Sequence, residues 1–122
     1  MGVYRIERVG RLIQGKIGAL ILEGRIKDPR VHPFLSVTRV QVSRDLSFAD
    51  VYISNIREHE SLGRAVAGLQ NAAGFIQAEL ASFMQIRKIP RLRFHPDSGI
   101  REGFDIVKKL EELTGDNDAG QP

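Results

Sequence analysis

The sequence predicts an α+β domain in which helices cover one face of a three-stranded sheet. Two observations predict it. Apolar residues recur at helical spacing in two separate stretches, and short alternating runs rich in strand formers follow each of them. The chain has 122 residues with 42% hydrophobic content, which suits one domain with one core. We expect that domain over residues 1–114 and a short, flexible, acidic tail over 115–122.

The first helix is predicted from residue 4 to about residue 26, where Asp28-Pro29 forbids its continuation. Its apolar stripe is formed by Val9, Leu12, Ile13, Ile17, Leu20 and Ile21. Four basic residues lie on the side of the helix opposite this stripe or at the flanks of that side. They are Arg5, Arg8, Arg11 and Lys16. This face is therefore a candidate basic edge.

Two strands are predicted next, over residues 34–43 and 46–54, and they form an antiparallel hairpin around a polar turn. The alternation changes phase within the first strand, because Leu35 and Val37 share one parity whereas Val40 and Val42 share the other. Such a slip indicates a β-bulge near Thr38 and Arg39.

Helical periodicity returns over residues 59–87, with its apolar face running from Leu62 to Phe83 and Met84, and Ile89-Pro90 ends it. A third strand is predicted at residues 92–95, stopped by Pro96. A marginal helix is predicted over residues 102–114.

Charge is unevenly distributed along the chain. Residues 1–101 hold 16 Lys and Arg against 9 Asp and Glu, whereas residues 102–122 hold 2 against 6. A basic body favours a nucleic acid or another polyanion as partner, although a basic surface kept for solubility is the alternative. There is no cysteine, which excludes disulfides and a thiolate nucleophile and suits the cytoplasm. No apolar run is long enough to span a bilayer.

Each candidate catalytic or metal-binding motif in the sequence is incomplete or lacks the structural context that it requires. Residues 10–17, GRLIQGKI, fit the phosphate-loop pattern only until Ile17, and Leu12, Ile13 and Ile17 lie on the apolar stripe of a helix. The three histidines are too widely spaced for a recurrent metal motif, and the serines have no nucleophile-elbow context. Asp45 and Asp50 are better explained as turn or edge residues than as an acid and base. We therefore expect neither an enzyme nor a cofactor.

Gly74 interrupts an otherwise good helical stretch, LQNAAGFIQAEL, although a glycine inside a helix costs about 1 kcal/mol relative to alanine. On a helical wheel it lies about 120 degrees from the apolar face, so the core does not require its small size. The outward side near it is small, polar and free of acidic residues from Ser61 to Ala78. This surface would let a phosphate backbone approach the helix closely. A glycine merely tolerated on a solvent face is the alternative.

Five stretches in order resemble the ribosome-binding factor A family of small-subunit assembly factors. They are RIERVGRLIQ, LILEGRIKDPR, VTRVQVSRDLSFADVYIS, LQNAAGFIQAEL and IRKIPRLRFHPDSGI, and the resemblance covers roughly residues 4 to 113. It implies a KH-like type II domain in which an Ala-x-Gly kink between two helices replaces the usual Gly-x-x-Gly loop. That kink falls on Ala72, Ala73 and Gly74.

The resemblance also implies a function. Family members bind the free small (30S) ribosomal subunit, contact its 16S ribosomal RNA and support late maturation, including 5′-end processing and growth in the cold, without enzymatic activity. We expect RNA contacts from the kink, from Arg87, Lys88, Arg91 and Arg93, and from the basic edge of Arg5, Arg8, Arg11 and Lys16. A module docking on small-subunit ribosomal proteins and an RNA-processing enzyme remain as alternatives.

Overall fold

The computed structural model describes residues 2–55 and 62–97, with the side chains described from Arg5 onward. Three helices and three strands occur in these residues. They are α1 (Gly2–Leu22), β1 (Leu35–Val42), β2 (Phe48–Asn55), α2 (Leu62–Asn71), α3 (Ala73–Phe83) and β3 (Arg91–Pro96). The helix predicted over residues 102–114 and the tail over 115–122 lie outside the described residues. The α+β fold is confirmed.

The strands form one mixed sheet in the order β1-β2-β3. β1 and β2 form the predicted antiparallel hairpin, whereas β3 is parallel to β2 because the α2–α3 connection crosses over between them. The predicted bulge is confirmed, since the β1–β2 register shifts between Val37 and Arg39. Gln14 of α1 donates a hydrogen bond from Nε2 to the Val37 carbonyl oxygen at 3.1 Å, which anchors α1 at the bulge.

All three helices pack on one face of the sheet and share a single core with it. Alternate residues of the strands point into this core, as the parity change at the bulge predicts. Side chains with no solvent exposure include Ile13, Ile17, Leu20, Val51, Ile53, Leu69, Ile76, Leu80 and Leu92. No helix within the described ranges is both long enough and apolar enough to cross a membrane.

The predicted end of α1 near residue 26 is wrong, because the helix ends at Leu22. Gly24 adopts the left-handed conformation with φ of 68°. Its N–H bonds to the Ile21 carbonyl at 3.1 Å, and the Arg25 N–H bonds to the Leu20 carbonyl at 3.0 Å. This pattern is a Schellman motif, which ends helices at a glycine. The glycine shortly after the last apolar position was the available signal.

The helical stretch predicted over residues 59–87 is divided at Ala72 and ends at Phe83. The division falls where the resemblance placed the kink, but the predicted end is wrong. Met84 is extended, with φ of −96° and ψ of 144°, and its side chain is buried. Pro90 is also fully buried, and Ile86 and Ile89 pack against the core, so the non-helical segment between α3 and β3 contributes to it. Phe83, predicted on the apolar face, is instead 48% exposed.

Candidate nucleic-acid interface

The kink, which consists of residues 72–74, joins two helices that are separated by a single non-helical residue. Ala72 has φ of −92° and ψ of 8°, and its N–H bonds to the carbonyls of Gly68 at 3.1 Å and Leu69 at 3.0 Å. It offers no side-chain cap to α3. The first N–H groups of a helix have no acceptor within their own helix, so this terminus carries partial positive charge. A phosphate is the kind of group that such a terminus attracts.

Gly74 lies on the solvent side of the kink. A Cβ atom built on it meets nothing within 4 Å, and the residue is exposed. The interior of the protein therefore places no demand on its small size, as the sequence predicted. Ala72 and Ala73 are half-buried and pack against the core, so only Gly74 of the three presents an open backbone.

The loop between α1 and β1 contacts the end of α2, just before the kink. Asp28, only 9% exposed, accepts hydrogen bonds from Arg30 N at 2.9 Å, Arg30 Nε at 3.0 Å and the Arg30 guanidinium at 2.9 Å. Its second oxygen accepts from Asn71 Nδ2 at 3.2 Å, and Asn71 is the last residue of α2. The Arg30 side-chain and backbone hydrogen bonds, aided by Asn71, hold the Asp28 pKa well below its usual range although burial opposes this.

Gly68 makes this contact possible. A Cβ atom there would lie 3.0 Å from Asp28 Oδ1, 3.0 Å from Arg30 Cβ and 3.1 Å from a Val31 methyl group. The loop thus sits directly on the α2 backbone, one turn before the kink. From the sequence, the KDPR stretch was expected only to end the helix and to mark the family resemblance, and its contact with α2 was not predicted. The pairing of Asp28 with Asn71 joins residues 43 positions apart, which no local pattern shows.

Two glutamines hold the other side of the kink on the sheet. Gln70 of α2 accepts a hydrogen bond from the Phe94 N–H at 2.9 Å and donates one to the Leu92 carbonyl at 3.1 Å. Gln77 of α3 accepts from the Leu92 N–H at 3.1 Å. Because one glutamine lies on each side of the kink, β3 fixes both helices against the same edge. These bonds also occupy an edge to which another strand would otherwise add.

The basic edge of α1 adjoins the segment that follows α3. A groove of about 340 Å³ separates them, and we name it the basic groove; it is lined by Arg5, Arg8, Val9, Leu12, Met84, Gln85 and Ile86. Arg87 and Lys88 are exposed directly beyond it, and Arg11 is exposed on α1. Lys16 is half-buried, with Nζ 5.3 Å from the centre of the Phe83 ring. The structure therefore brings Arg5 and Arg8 close to the chain that leads to Arg87 and Lys88.

The kink and the basic groove lie at opposite ends of α3. The helix has 11 residues, so they are separated by about 16 Å at 1.5 Å per residue. The exposed surface of α3 is formed by Gly74, Phe75, Ala78, Ala81, Ser82 and Phe83. Glu79 is the acidic residue of α3, and Arg25 pairs with it at 3.2 Å. A polyanion running along α3 thus meets small side chains, the exposed phenylalanine rings at its two ends and an already neutralised carboxylate.

Arg91 and Arg93 are not part of this surface. They alternate with the buried Leu92 and Phe94, so they point away from the helices. Arg93 Nε lies 2.9 Å from Asp50 Oδ1, and its guanidinium carbon is 4.3 Å from the centre of the Phe48 ring. The sequence grouped these two arginines with Arg87 and Lys88 by proximity along the chain, but the strand turns them to the opposite face of the sheet.

Phe75 was not singled out in the sequence, although it immediately follows Gly74. It is 41% exposed. The signal was available: a phenylalanine directly after an outward-facing glycine also lies away from the apolar arc. An exposed aromatic ring beside an open backbone can stack on an unpaired base.

Comparisons with known proteins match the sequence over most of its length. A family model described as ribosome-binding factor A matches residues 5–110. The ribosome-binding factor A of Treponema denticola is 46% identical over 113 residues, which cover 93% of this chain and 86% of the relative. That of Borreliella burgdorferi is 43% identical over 101 residues, which cover 83% of this chain and 84% of the relative.

Solved structures agree with the fold. The crystal structure of ribosome-binding factor A from Thermus thermophilus superposes with a TM-score of 0.62 at 30% identity, covering 75% of this chain and 94% of that one. A Thermus thermophilus homology model fitted into the cryo-EM map of a 30S complex gives a TM-score of 0.50 at 31% identity, with 69% and 90% covered. The family match over residues 5–110 and these identities show that the chain belongs to the ribosome-binding factor A family.

Proposed function

We propose that this protein binds the free small (30S) ribosomal subunit in the cytoplasm by contacting its 16S ribosomal RNA. It supports late maturation of the subunit, including processing of the 5′ end of the precursor RNA and growth in the cold, and it catalyses no reaction itself. It acts as a monomer when free. Family membership supports this proposal, as does the related Thermus thermophilus protein that has been fitted into a map of a 30S complex.

The observation that carries the proposal is the open backbone at Gly74. The kink places the start of α3 at the surface, and nothing in the protein fills the space beside Gly74. The sugar-phosphate chain of a single strand can approach such a site as closely as the helix backbone allows. Phe75, next to it, offers a ring on which one base can stack.

The path of the RNA follows from the distribution of charge. From the kink the RNA strand runs along the exposed surface of α3 to the basic groove, where Arg5 and Arg8 contact its phosphates. Arg87, Lys88 and Arg11 provide further phosphate contacts around the groove, and Lys16 lies nearer the α3 side. Arg91 and Arg93 face the other way, so they reach RNA only across the open side of the sheet.

A substitution that adds a charge without removing packing tests the proposal. Gly74→Glu fills empty space, so the fold is expected to survive, whereas its carboxylate repels a phosphate at the kink. Arg44→Gln, in the exposed turn between β1 and β2, lowers the net charge by the same amount outside the proposed interface. We expect Gly74→Glu to weaken binding to purified small subunits about tenfold or more and Arg44→Gln to change it less than about twofold.

The result that overturns the kink as RNA site is a folded Gly74→Glu protein with the affinity of the wild type. Filter binding to naked 16S RNA fragments at two salt concentrations tests the alternative of docking on ribosomal proteins, which predicts subunit binding without RNA binding. Incubating the purified protein with precursor RNA, with and without magnesium, tests the absence of catalysis. Turnover of the precursor by the protein alone would contradict a non-catalytic role.

A further inference from the structure

The outer face of the sheet carries a second set of side chains of the kinds that contact RNA. We name it the open face; it consists of the outward-pointing side chains of β1–β3, on the side away from the three helices. These side chains are Ser36, Thr38, Arg39, Gln41, Phe48, Asp50, Tyr52, Ser54, Arg91, Arg93 and His95. Among these positions there is no aliphatic residue, but there are two aromatic rings, three arginines and a histidine.

Three planar side chains lie side by side across the sheet. Arg39 of β1 is in register with Tyr52 of β2, which is in register with His95 of β3. The Arg39 guanidinium carbon is 4.0 Å from the centre of the Tyr52 ring. The rings of Tyr52 and His95 are stacked, with centres 5.1 Å apart and planes 28° apart. Because β1 and β3 flank β2, the row ends in a guanidinium at one side and an imidazole at the other.

Asp50 holds this arrangement in place. Its Oδ1 lies 2.8 Å from His95 Nε2 and 2.9 Å from Arg93 Nε, and its Oδ2 lies 3.2 Å from the Arg93 guanidinium. Burial opposes ionisation of Asp50, but the hydrogen bonds and charges of Arg93 and His95 prevail and lower its pKa. Asp50 is thus neutralised by its neighbours and repels phosphate little. A second carboxylate, that of Asp97 just beyond β3, accepts a hydrogen bond from the Thr38 hydroxyl on the same face.

We propose that the open face binds a segment of single-stranded RNA. Bases stack on the planar groups at the two ends of the Arg39, Tyr52 and His95 row, and Arg39 and Arg91 contact phosphates. Guanidinium and aromatic planes are the groups on which unpaired bases stack. This inference rests on the proposed function, because it adds a second RNA surface to the protein, on the side opposite the kink.

Charge and composition favour RNA over a protein on this face. Protein interfaces are anchored at their centre by apolar, aromatic or arginine side chains that enter pockets of the partner. The open-face positions offer no aliphatic anchor, and each aromatic ring is already covered by an arginine. Three arginines against the paired Asp50 and the neighbouring Asp97 leave a positive surface, which is complementary to a phosphate backbone.

The first measurement is an NMR titration of the full-length protein with single-stranded U8 and A8 oligoribonucleotides. We expect the largest shifts at Arg39, Tyr52 and His95, including the arginine Nε–H and histidine ring signals. Shifts confined to the kink and the basic groove would overturn the inference. An RNA duplex of the same length is the control, and shifts of equal size at the open face with the duplex would also overturn it.

The second measurement compares variants of Arg39. Arg39→Thr removes the charge and the planar group, and we expect it to weaken U8 binding about tenfold. Arg39→Lys keeps the charge but not the plane, and we expect about a threefold loss. Arg44→Gln is the control of equal charge change. The inference is overturned if Arg39→Thr binds U8 no more weakly than Arg44→Gln does.

Binding to small subunits separates this inference from the proposed function. If Gly74→Glu weakens subunit binding and Arg39→Thr does not, the open-face inference fails and the kink proposal stands. If Arg39→Thr weakens it and Gly74→Glu does not, the open face is supported and the kink proposal fails. If Arg39→Thr weakens subunit binding but U8 and A8 shift no open-face signal, the face docks on a ribosomal protein and the inference is overturned.

Discussion

Asn71, the last residue of α2, donates a hydrogen bond to Asp28, which lies in the loop that precedes β1. The Nδ2 to Oδ2 distance is 3.2 Å. The same carboxylate is fixed by three hydrogen bonds from Arg30. A loop distant in sequence therefore contacts the last residue of α2, and the ionised Asp28 carboxylate joins the two segments.

The stability of the protein should accordingly depend on acid through Asp28. Its pKa in the folded protein lies below the value of about 3.9 that it has when unfolded. The stabilisation is therefore fully present above about pH 4 and is lost as the pH falls further, because the unfolded chain then takes up the proton first. We expect Asp28→Asn to be less stable than the wild type at pH 7 and to approach it below pH 3.

Urea unfolding followed by circular dichroism between pH 7 and pH 2.5 measures this dependence. Asp45→Asn is a suitable control, because its carboxylate also accepts hydrogen bonds and has a lowered pKa but lies in the hairpin turn, away from the kink. Amide exchange at the start of α3 should rise in Asp28→Asn and not in Asp45→Asn. Parallel stability curves for wild type and Asp28→Asn would contradict the role of Asp28.

Gly68 and Gly15 should respond in opposite ways to replacement by alanine. Both lie inside helices, where alanine is favoured over glycine by about 1 kcal/mol. A Cβ on Gly15 meets nothing within 4 Å, whereas one on Gly68 meets three atoms at 3.0–3.1 Å. We expect Gly15→Ala to stabilise the protein by about 0.5–1 kcal/mol and Gly68→Ala to destabilise it by about 1–2 kcal/mol.

Chemical denaturation of the two variants in parallel gives both values. The contrast isolates close packing of the Asp28 loop on α2, because the gain in helix propensity is common to both. A stabilised Gly68→Ala protein would show that the Asp28 loop moves at little cost in free energy. The kink would then not depend on close packing between this loop and Gly68.

Gln77 and Gln70 should matter more to stability than surface glutamines do. Gln77→Ala leaves the N–H of the buried Leu92 without its acceptor, and an unsatisfied buried donor costs about 1–3 kcal/mol. Gln70→Ala leaves both the Phe94 N–H and the Leu92 carbonyl unpaired, so its effect should be larger. Gln85→Ala, at an exposed position, is the matched control and should change stability by less than about 0.5 kcal/mol. Equal stability of all three variants would contradict this account.

The sequence was sufficient where structure follows from local pattern. The parity change between Val37 and Val40 predicted the bulge, and the alternation of Leu92 and Phe94 with charged residues predicted β3. Prediction from the sequence failed where a contact between residues far apart in the chain determines the local structure. Met84 leaves the helical path because the core takes its side chain, and neither the end of α3 nor the exposure of Phe83 can be read from periodicity.

The candidate site shows the same division. Gly74 was predicted to be outward-facing and unnecessary to packing, which holds because a helical wheel is a local property. The grouping of Arg93 with Arg87 did not hold. Arg87 follows Ile86, which lines the basic groove, whereas Arg93 points out from the other face of the sheet. The contributions of Asp28, Gln70 and Gln77 were missed because each acts through a bond to a segment at least 15 positions away.

Arg87 and Lys88 should contribute to the salt dependence of RNA binding, and their replacement tests the basic groove. Each phosphate contact to a single strand contributes about 0.7 to the slope of log affinity against log salt. We therefore expect the double variant Arg87→Gln with Lys88→Gln to reduce that slope by about 1.4 while leaving the fold intact, because both side chains are exposed. Arg44→Gln should leave the slope unchanged. Titrations of a single-stranded 16S fragment at about 50–300 mM salt measure it, and an unaltered slope for the double variant would remove both residues from the interface.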